Sequence, residues 1–205
     1  MKSRFVFVVI FVIIATLLAG AGTAPAPKST VDNLQTAYNG ESNAHARYLA
    51  FAEKADTEGY AQVAALFRAA ARAEQIHAGN HAVVIKKLGG TPAANIEKPV
   101  VKSTKENLEA AIKGETYERD IMYPEFLKEA RAKRNTDAIQ TFNYAKSAET
   151  EHAHLYTEAL NNLGNMRVKS ITYYVCTVCG FTTTKIDFEK CPSCFNSKDK
   201  YVAVS

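Results

Sequence analysis

The chain has 205 residues, 47% of them hydrophobic, with 25 basic against 21 acidic side chains and a formal net charge of +4. That apolar content excludes wholesale disorder, and so mild a charge with no Lys/Arg block excludes a nucleic-acid binder. Four cysteines are too few for a disulfide scaffold, yet all four lie between Cys176 and Cys194 and so form one local feature.

In chain order, residues 1–24 read as an export signal. Lys2 and Arg4 precede an apolar run at 5–15, and small residues follow at 19–24. Cleavage is expected after Ala21 or Ala24, which removes Lys2 and Arg4 and leaves a mature charge of +2. There is no twin Arg and no cysteine for a lipid, so the expected route is Sec-type and the expected location periplasmic. The competing reading is an uncleaved anchor, which needs about 20 apolar residues; without it no membrane contact is expected.

Residues 29–164 read in helical period. Ser29-Thr30 and Ser103-Thr104 each offer an N-cap, and the two starts belong to an internal repeat. At an offset of 74, Thr30, Asn33, Leu34, Ala37, Gly40 and Glu41 fall on Thr104, Asn107, Leu108, Ala111, Gly114 and Glu115. At an offset of 75, Phe67, Ala73, Glu74, His77, Ala78, Leu88 and Gly89 fall on Phe142, Ala148, Glu149, His152, Ala153, Leu163 and Gly164. Breakers at Gly59 and at Asn135-Thr136-Asp137 divide each half into a helix pair, and Gly89-Gly90-Thr91-Pro92 opens a longer crossover. Two hairpins joined by one long connection predict an all-α, ferritin-like four-helix bundle.

The duplication preserves charge where a core should be apolar. Glu74 and His77 stand three residues apart, as do Glu149 and His152, so each pair projects from one helix face. One Glu-x-x-His is an ordinary surface pattern, but two copies, each paired with a helix carrying Gly-Glu, give the ligand set of di-iron carboxylate bundles. Carboxylates gathered inside a bundle repel one another and lose their water, and two divalent cations reverse that sign. Mixed oxygen and imidazole donors suit iron or manganese. Where the first repeat has Ala44 the second has Glu118, one turn from Glu115, which would make the two metals unequal.

Weaker candidates surround this set. Tyr48 follows Glu41 by seven residues and Tyr123 follows Glu115 by eight, so each reads either as a donor to a ligand carboxylate or as a core aromatic. Pro124 is expected to bend the third helix beside Glu118. Gly40 and Gly114 suggest close packing near the site. His45, His81 and His154 have no histidine partner in the repeat and read as surface groups or as groups just behind the metal ligands.

At 171–205, Cys176-x-x-Cys179 and Cys191-x-x-Cys194, separated by 11 residues, form a tetrahedral four-thiolate pattern flanked by strand-like runs at 171–175 and 201–204. A module this small needs a staple. In an exported chain disulfides compete with a metal; the metal is iron, carrying single electrons, or zinc, purely structural.

Taken together, the motifs Gly40-Glu41, Glu74-x-x-His77, Gly114-Glu115-x-x-Glu118, Met122-Tyr123-Pro124, Glu149-x-x-His152 and the four cysteines resemble the rubrerythrins over residues 29 to about 204. The resemblance implies a ferritin-like bundle holding two iron ions and a β-rich, rubredoxin-like knuckle domain holding a third. It implies reduction of hydrogen peroxide to water, with electrons from a donor protein that the sequence does not identify. It also implies a homodimer in which one subunit's thiolate-bound iron serves the other's iron pair. By matching position, Glu74 and Glu149 would bridge the irons, Glu41, Glu115 and His152 would be terminal ligands, and Glu118 and His77 would exchange with redox state. Phe195 departs from the family's usual Gly after the last cysteine, and export is less usual for it. Two rival functions stay open: an iron-oxidising bundle using oxygen, and a non-enzymatic module with zinc on its cysteines.

Overall fold

The computed structural model describes residues 29–167 and 169–205, so the expected leader lies outside the described residues. Among the described residues five α-helices, α1 (Thr30–Thr57), α2 (Ala61–Lys87), α3 (Thr104–Tyr117), α4 (Tyr123–Ala132) and α5 (Thr136–Asn161), form a four-rod bundle, because α3 and α4 run on through a π-helical turn at Glu118–Met122. Three strands follow, β1 (Tyr173–Cys176), β2 (Thr182–Thr183) and β3 (Tyr201–Val204), in one antiparallel sheet of order β2-β1-β3. Among the described residues no helix is long and apolar enough to cross a membrane.

The helix starts follow from local chemistry. Ser29 caps α1 by accepting the Asp32 amide while the Asp32 carboxylate takes the Ser29 amide, and Ser103 with Glu106 repeats the arrangement on α3. Asn135 caps α5 at the Ala138 amide, 3.0 Å away. The first turn closes on Gly59 at φ 77°, in the left-handed region that a side chain disfavours. The crossover at 88–103 has no strand partner of its own. Instead Asn39 and Asn43, one turn apart on α1, accept the amides of Asn95 and Glu97 at 2.8 Å and strap it to the bundle.

The π-helical turn accounts for the two repeat offsets. A π turn absorbs one extra residue within a helix, and here the Tyr123 amide reaches back five residues to the Glu118 carbonyl. Positions before it match at 74 and positions after it at 75, so Tyr48 corresponds to Tyr123. The irregularity expected at Pro124 therefore lies in the turn before it. Proline then occupies the start of α4, where its missing N–H is tolerated. Close packing at the two helix glycines is not found: a Cβ on Gly114 would meet nothing within 4 Å, and one on Gly40 would only touch Glu118 at 3.9 Å.

Each rod carries an apolar stripe interrupted at one level. One cluster, with Tyr48, Phe51, Phe67, Leu108 and Tyr156, fills one end of the bundle; another, with Leu34, Ile85, Tyr123, Phe126 and Phe142, fills the other. Glu41, Glu74, Glu115 and Glu149 fall between them in sequence on their respective helices and are at most 1% exposed. The strands and cysteine loops pack on α2 and α5 of the same chain, and Arg167 fastens the connection by donating to the Glu58 carbonyl and lying over the Tyr60 ring.

Candidate metal centre

Every group between the two apolar clusters is placed by helical spacing on a buried stripe. Glu41 lies on α1 in line with Leu34, Ala37, Ala44 and Tyr48, and Glu115 lies on α3 in line with Leu108 and Ala111. Glu74 and His77 enter from α2, Glu149 and His152 from α5. Donor atoms of Glu41, Glu74, His77 and Glu149 lie within 4.8 Å of one another, as do those of Glu74, Glu115, Glu149 and His152. Glu74 and Glu149 belong to both groups. Glu118 stands outside both, half-buried on the π-helical turn.

The histidine tautomers follow from what lies behind each ring. His77 Nε2 is 3.0 Å from the Cys179 carbonyl, which can only accept, so Nε2 carries the hydrogen and Nδ1 faces the carboxylates, 2.8 Å from Glu74 and 3.2 Å from Glu149. His152 Nε2 is 3.0 Å from the Thr182 hydroxyl, whose own hydrogen goes to the Gly180 carbonyl. Its Nδ1 therefore also faces inward, 3.1 Å from Glu149 and 3.4 Å from Glu74. Between each inward ring nitrogen and the carboxylate oxygens there must be a cation, a proton in the metal-free chain or a metal ion when one is bound.

The electrostatics carry the same message. Burial, reinforced by Glu118, Glu74 and Glu149, pushes the Glu41 carboxyl well above the usual range, and burial with Glu74 pushes Glu115 up to about 7. Burial works against the charge on His77, but Glu149 and Glu74 outweigh it and push His77 up to about 10. Burial would also raise Glu74, but the neighbouring His152 and His77 overcome it and hold that carboxyl low. Glu41 Oε2, Glu74 Oε1, Glu115 Oε2, both Glu149 oxygens and His152 Nδ1 are buried without a hydrogen-bond partner. Orphaned acceptors all aimed into one space are the donor set of a divalent-metal pair, and these residues fit such a pair.

Around this shell the two halves diverge. Tyr48 donates its hydroxyl to Glu115 at 2.5 Å, and Tyr123 donates to Glu41, so each tyrosine serves the other half's carboxylate. Behind Tyr123 stands His81, fully buried, with Nε2 3.2 Å from the Tyr123 oxygen and Nδ1 2.9 Å from the Thr141 hydroxyl. Burial, then the nearby His77 charge, pull His81 down to about 3, so it is neutral. Tyr123 spends its hydrogen on Glu41, so His81 Nε2–H donates to Tyr123 and Thr141 O–H donates to Nδ1. In the other half His81 and Thr141 are replaced by Tyr156 and Leu66, and Tyr156 packs edge-on against Tyr48 at 5.6 Å.

Of the two positions expected for His81, the surface or just behind the ligands, the structure has the second: it is buried and reaches Glu41 through Tyr123. The signal for it was the repeat mismatch itself, a paired change to His81 with Thr141 from Tyr156 with Leu66. Of the other two histidines, His45 donates to the Ala71 carbonyl at 2.7 Å, and His154 is exposed beside Glu158. Thr182 had no sequence signal.

The four cysteine sulfurs lie within 4.8 Å of one another, with Cys176–Cys194 at 3.7 Å and Cys179–Cys191 at 3.6 Å. These are unbonded thiols. A disulfide needs about 2.05 Å, whereas a tetrahedral metal about 2.3 Å from each sulfur sets them about 3.8 Å apart. The spacing is that of a metal site, and the residues fit one. Gly180, at φ 78°, lets this loop approach the bundle: a Cβ there would lie 2.2 Å from His77 Nε2. The resemblance implies delivery between subunits, but here the loop touches the centre of its own chain, through Cys179 to His77 and through Thr182 to His152.

Comparison with known proteins agrees with this geometry. The rubrerythrin family model matches residues 32–160. Nigerythrin of Nitratidesulfovibrio vulgaris is 39% identical over 184 residues, covering 89% of this chain and 90% of its own. Rubrerythrin-2 of Clostridium acetobutylicum is 41% identical over 177 residues, covering 85% and 96%. The solved structure of fully reduced, all-ferrous nigerythrin superposes with a TM-score of 0.80 at 37% identity, covering 99% of this chain and 100% of that one.

Proposed function

The chain belongs to the rubrerythrin family, and we propose that it reduces hydrogen peroxide to water, with electrons passed through the four-cysteine site as iron. Its fold is a ferritin-like bundle with a rubredoxin-like C-terminal module, and it carries a di-iron carboxylate–histidine site and a four-cysteine knuckle. The observation that carries the proposal is their junction: the knuckle's Cys179 carbonyl takes the hydrogen of His77, whose other nitrogen faces the carboxylates. A purely structural zinc knuckle has no need of that contact.

Glu41, Glu74, His77 and Glu149 would hold one iron, and Glu74, Glu115, Glu149 and His152 the other, with Glu74 and Glu149 shared. Bound there, a ferrous pair supplies two electrons, one from each ion, to the oxygen–oxygen bond. Reducing one peroxide to two waters also takes two protons. Tyr123 holds a proton at Glu41 and Tyr48 holds one at Glu115, which places one hydroxyl hydrogen at each end of the site. His81 and Thr141 keep the Tyr123 hydrogen aimed at Glu41. The two apolar clusters exclude bulk water above and below. Glu118, one helical turn from Glu115, would exchange with His77 as the charge of the site changes; it lies close enough to raise the Glu41 carboxyl.

We further propose export by way of the 1–24 leader and assembly as a homodimer, checked by N-terminal sequencing of the periplasmic fraction and by sedimentation. The deciding experiment for function is stopped-flow mixing of the fully reduced protein with hydrogen peroxide and, separately, with oxygen. Faster oxidation by peroxide, followed by re-reduction through the cysteine site, is expected. Preference for oxygen would make the chain an iron-oxidising bundle instead.

A further inference from the structure

We propose that Tyr201 sets the reduction potential of the four-cysteine site by donating a hydrogen bond to the Cys191 sulfur. The inference rests on the reading that this site holds iron. The Tyr201 hydroxyl lies 3.1 Å from Cys191 Sγ. Its position is fixed at three points: Tyr201 opens β3, pairs in register with Cys176 on β1, and packs its ring against Phe188 at 5.4 Å between centroids. The strand pairing ties the tyrosine to the first knuckle and the hydroxyl ties it to the second, so the donor spans the site.

Donors are unevenly spread over the sulfurs. Asn196 places its side-chain amide 3.4 Å from Cys194 Sγ, so among the described residues the two side-chain donors to cysteine sulfur, Tyr201 and Asn196, both serve the second knuckle. Cys191 is fully buried, as are Cys176 and Cys179. In a site shielded from water, a hydrogen bond to a thiolate is felt strongly, because solvent cannot replace it.

When one electron from an external donor converts the ferric site to the ferrous one, no bond forms or breaks and no proton moves. The shell gains one negative charge, part of which resides on sulfur. A hydroxyl aimed at that sulfur stabilises the more charged, reduced form and raises the potential. Nothing in the sequence points to this, since position 201 reads only as a strand residue ten positions beyond Cys191.

The test is a potentiometric titration of the full iron-loaded protein and its Tyr201→Phe variant, followed at the visible thiolate-to-iron absorption. Phenylalanine keeps the ring packing and removes only the hydroxyl. The expected result is a lower potential, with the one-electron equilibrium moved three- to tenfold toward the oxidised form; tenfold is about 59 mV. The absorption band should move to longer wavelength. A merely structural role predicts the opposite sign, since a loosened site admits water and water favours the more charged reduced form. An unchanged or raised potential in the variant, with the band present in both proteins, overturns the inference. A wild-type protein with no such band and no one-electron step overturns the iron reading beneath it.

Discussion

The two halves of the bundle agree at the groups that face the metal site, save Glu118 with Ala44 as its counterpart, and disagree again just behind them. Glu41 and Glu115, Glu74 and Glu149, His77 and His152, and Tyr48 and Tyr123 correspond through the repeat. Beyond them, one half continues as the polar chain His81–Thr141 and the other as Tyr156 with Leu66. The facing groups share one electrostatic task, holding cations among buried carboxylates, and both halves meet it with the same residue types. The supporting groups have only to fix a tyrosine, which hydrogen bonds or ring packing can each achieve.

Removing the metal tests what the halves share and has the largest expected effect. In the metal-free protein Glu115 is raised from 4.5 to about 7 and His77 from 6.5 to about 10. A raised group stabilises the fold fully below its unfolded value and loses that contribution as pH rises through its folded value. The Glu115 contribution is therefore complete below about 4.5 and lost on passing about 7, and that of His77 is complete below about 6.5 and lost on passing about 10. The melting temperature of the metal-free chain should fall by several degrees between pH 5 and pH 8, at roughly 2–4 °C per kcal/mol for this size. The metal-loaded chain should gain over the same range, because ligand carboxylates must be ionised to bind. Parallel thermal melts check the opposite signs.

The tyrosines sharpen the difference between the halves. Tyr123→Phe unpairs both Glu41 and the His81 Nε2–H, and should cost about 2 kcal/mol; Tyr48→Phe unpairs only Glu115, and should cost about 1 kcal/mol. Denaturant titration of the two variants compares them directly, and equal costs would break the asymmetry drawn here.

The knuckles form a second pair with the same lesson. The residue after the second cysteine of each is left-handed, Gly180 at φ 78° and Phe195 at φ 59°. Glycine is required at the first because His77 fills the space a Cβ would need, whereas Phe195 is 72% exposed. Gly180→Ala should keep the cysteine-site spectrum but slow re-reduction of the iron pair about tenfold, equivalent to about 1.4 kcal/mol, as rapid mixing would show. Phe195→Gly should stabilise the chain by about 1 kcal/mol through relief of the left-handed strain, as small an effect as that of Tyr48→Phe and of opposite sign.

Much of this could be read from the chain because it depends on spacing. Helical period, the Glu-x-x-His pairs, the cap residues and the cysteine knuckles are all local, and the structure places them where those periods put them. The π-helical turn was visible only as an unexplained change of offset, since nothing local distinguishes one extra residue in a helix from a shifted repeat. The roles of His81, Thr141, Thr182 and Tyr201 depend on which surfaces meet in three dimensions. The docking of the cysteine loop on its own bundle depends on a space beside His77 that only Gly180 leaves open.

The most direct test is anaerobic titration of metal-free protein with ferrous iron, followed by metal analysis and Mössbauer spectroscopy, beside Glu149→Ala. Three irons per wild-type chain are predicted, two of them in an oxygen- and nitrogen-ligated pair that the Glu149 variant fails to hold while its sulfur-ligated iron survives. A wild-type chain that binds iron only at its cysteines, or a Glu149 variant that still holds the pair, would contradict the account.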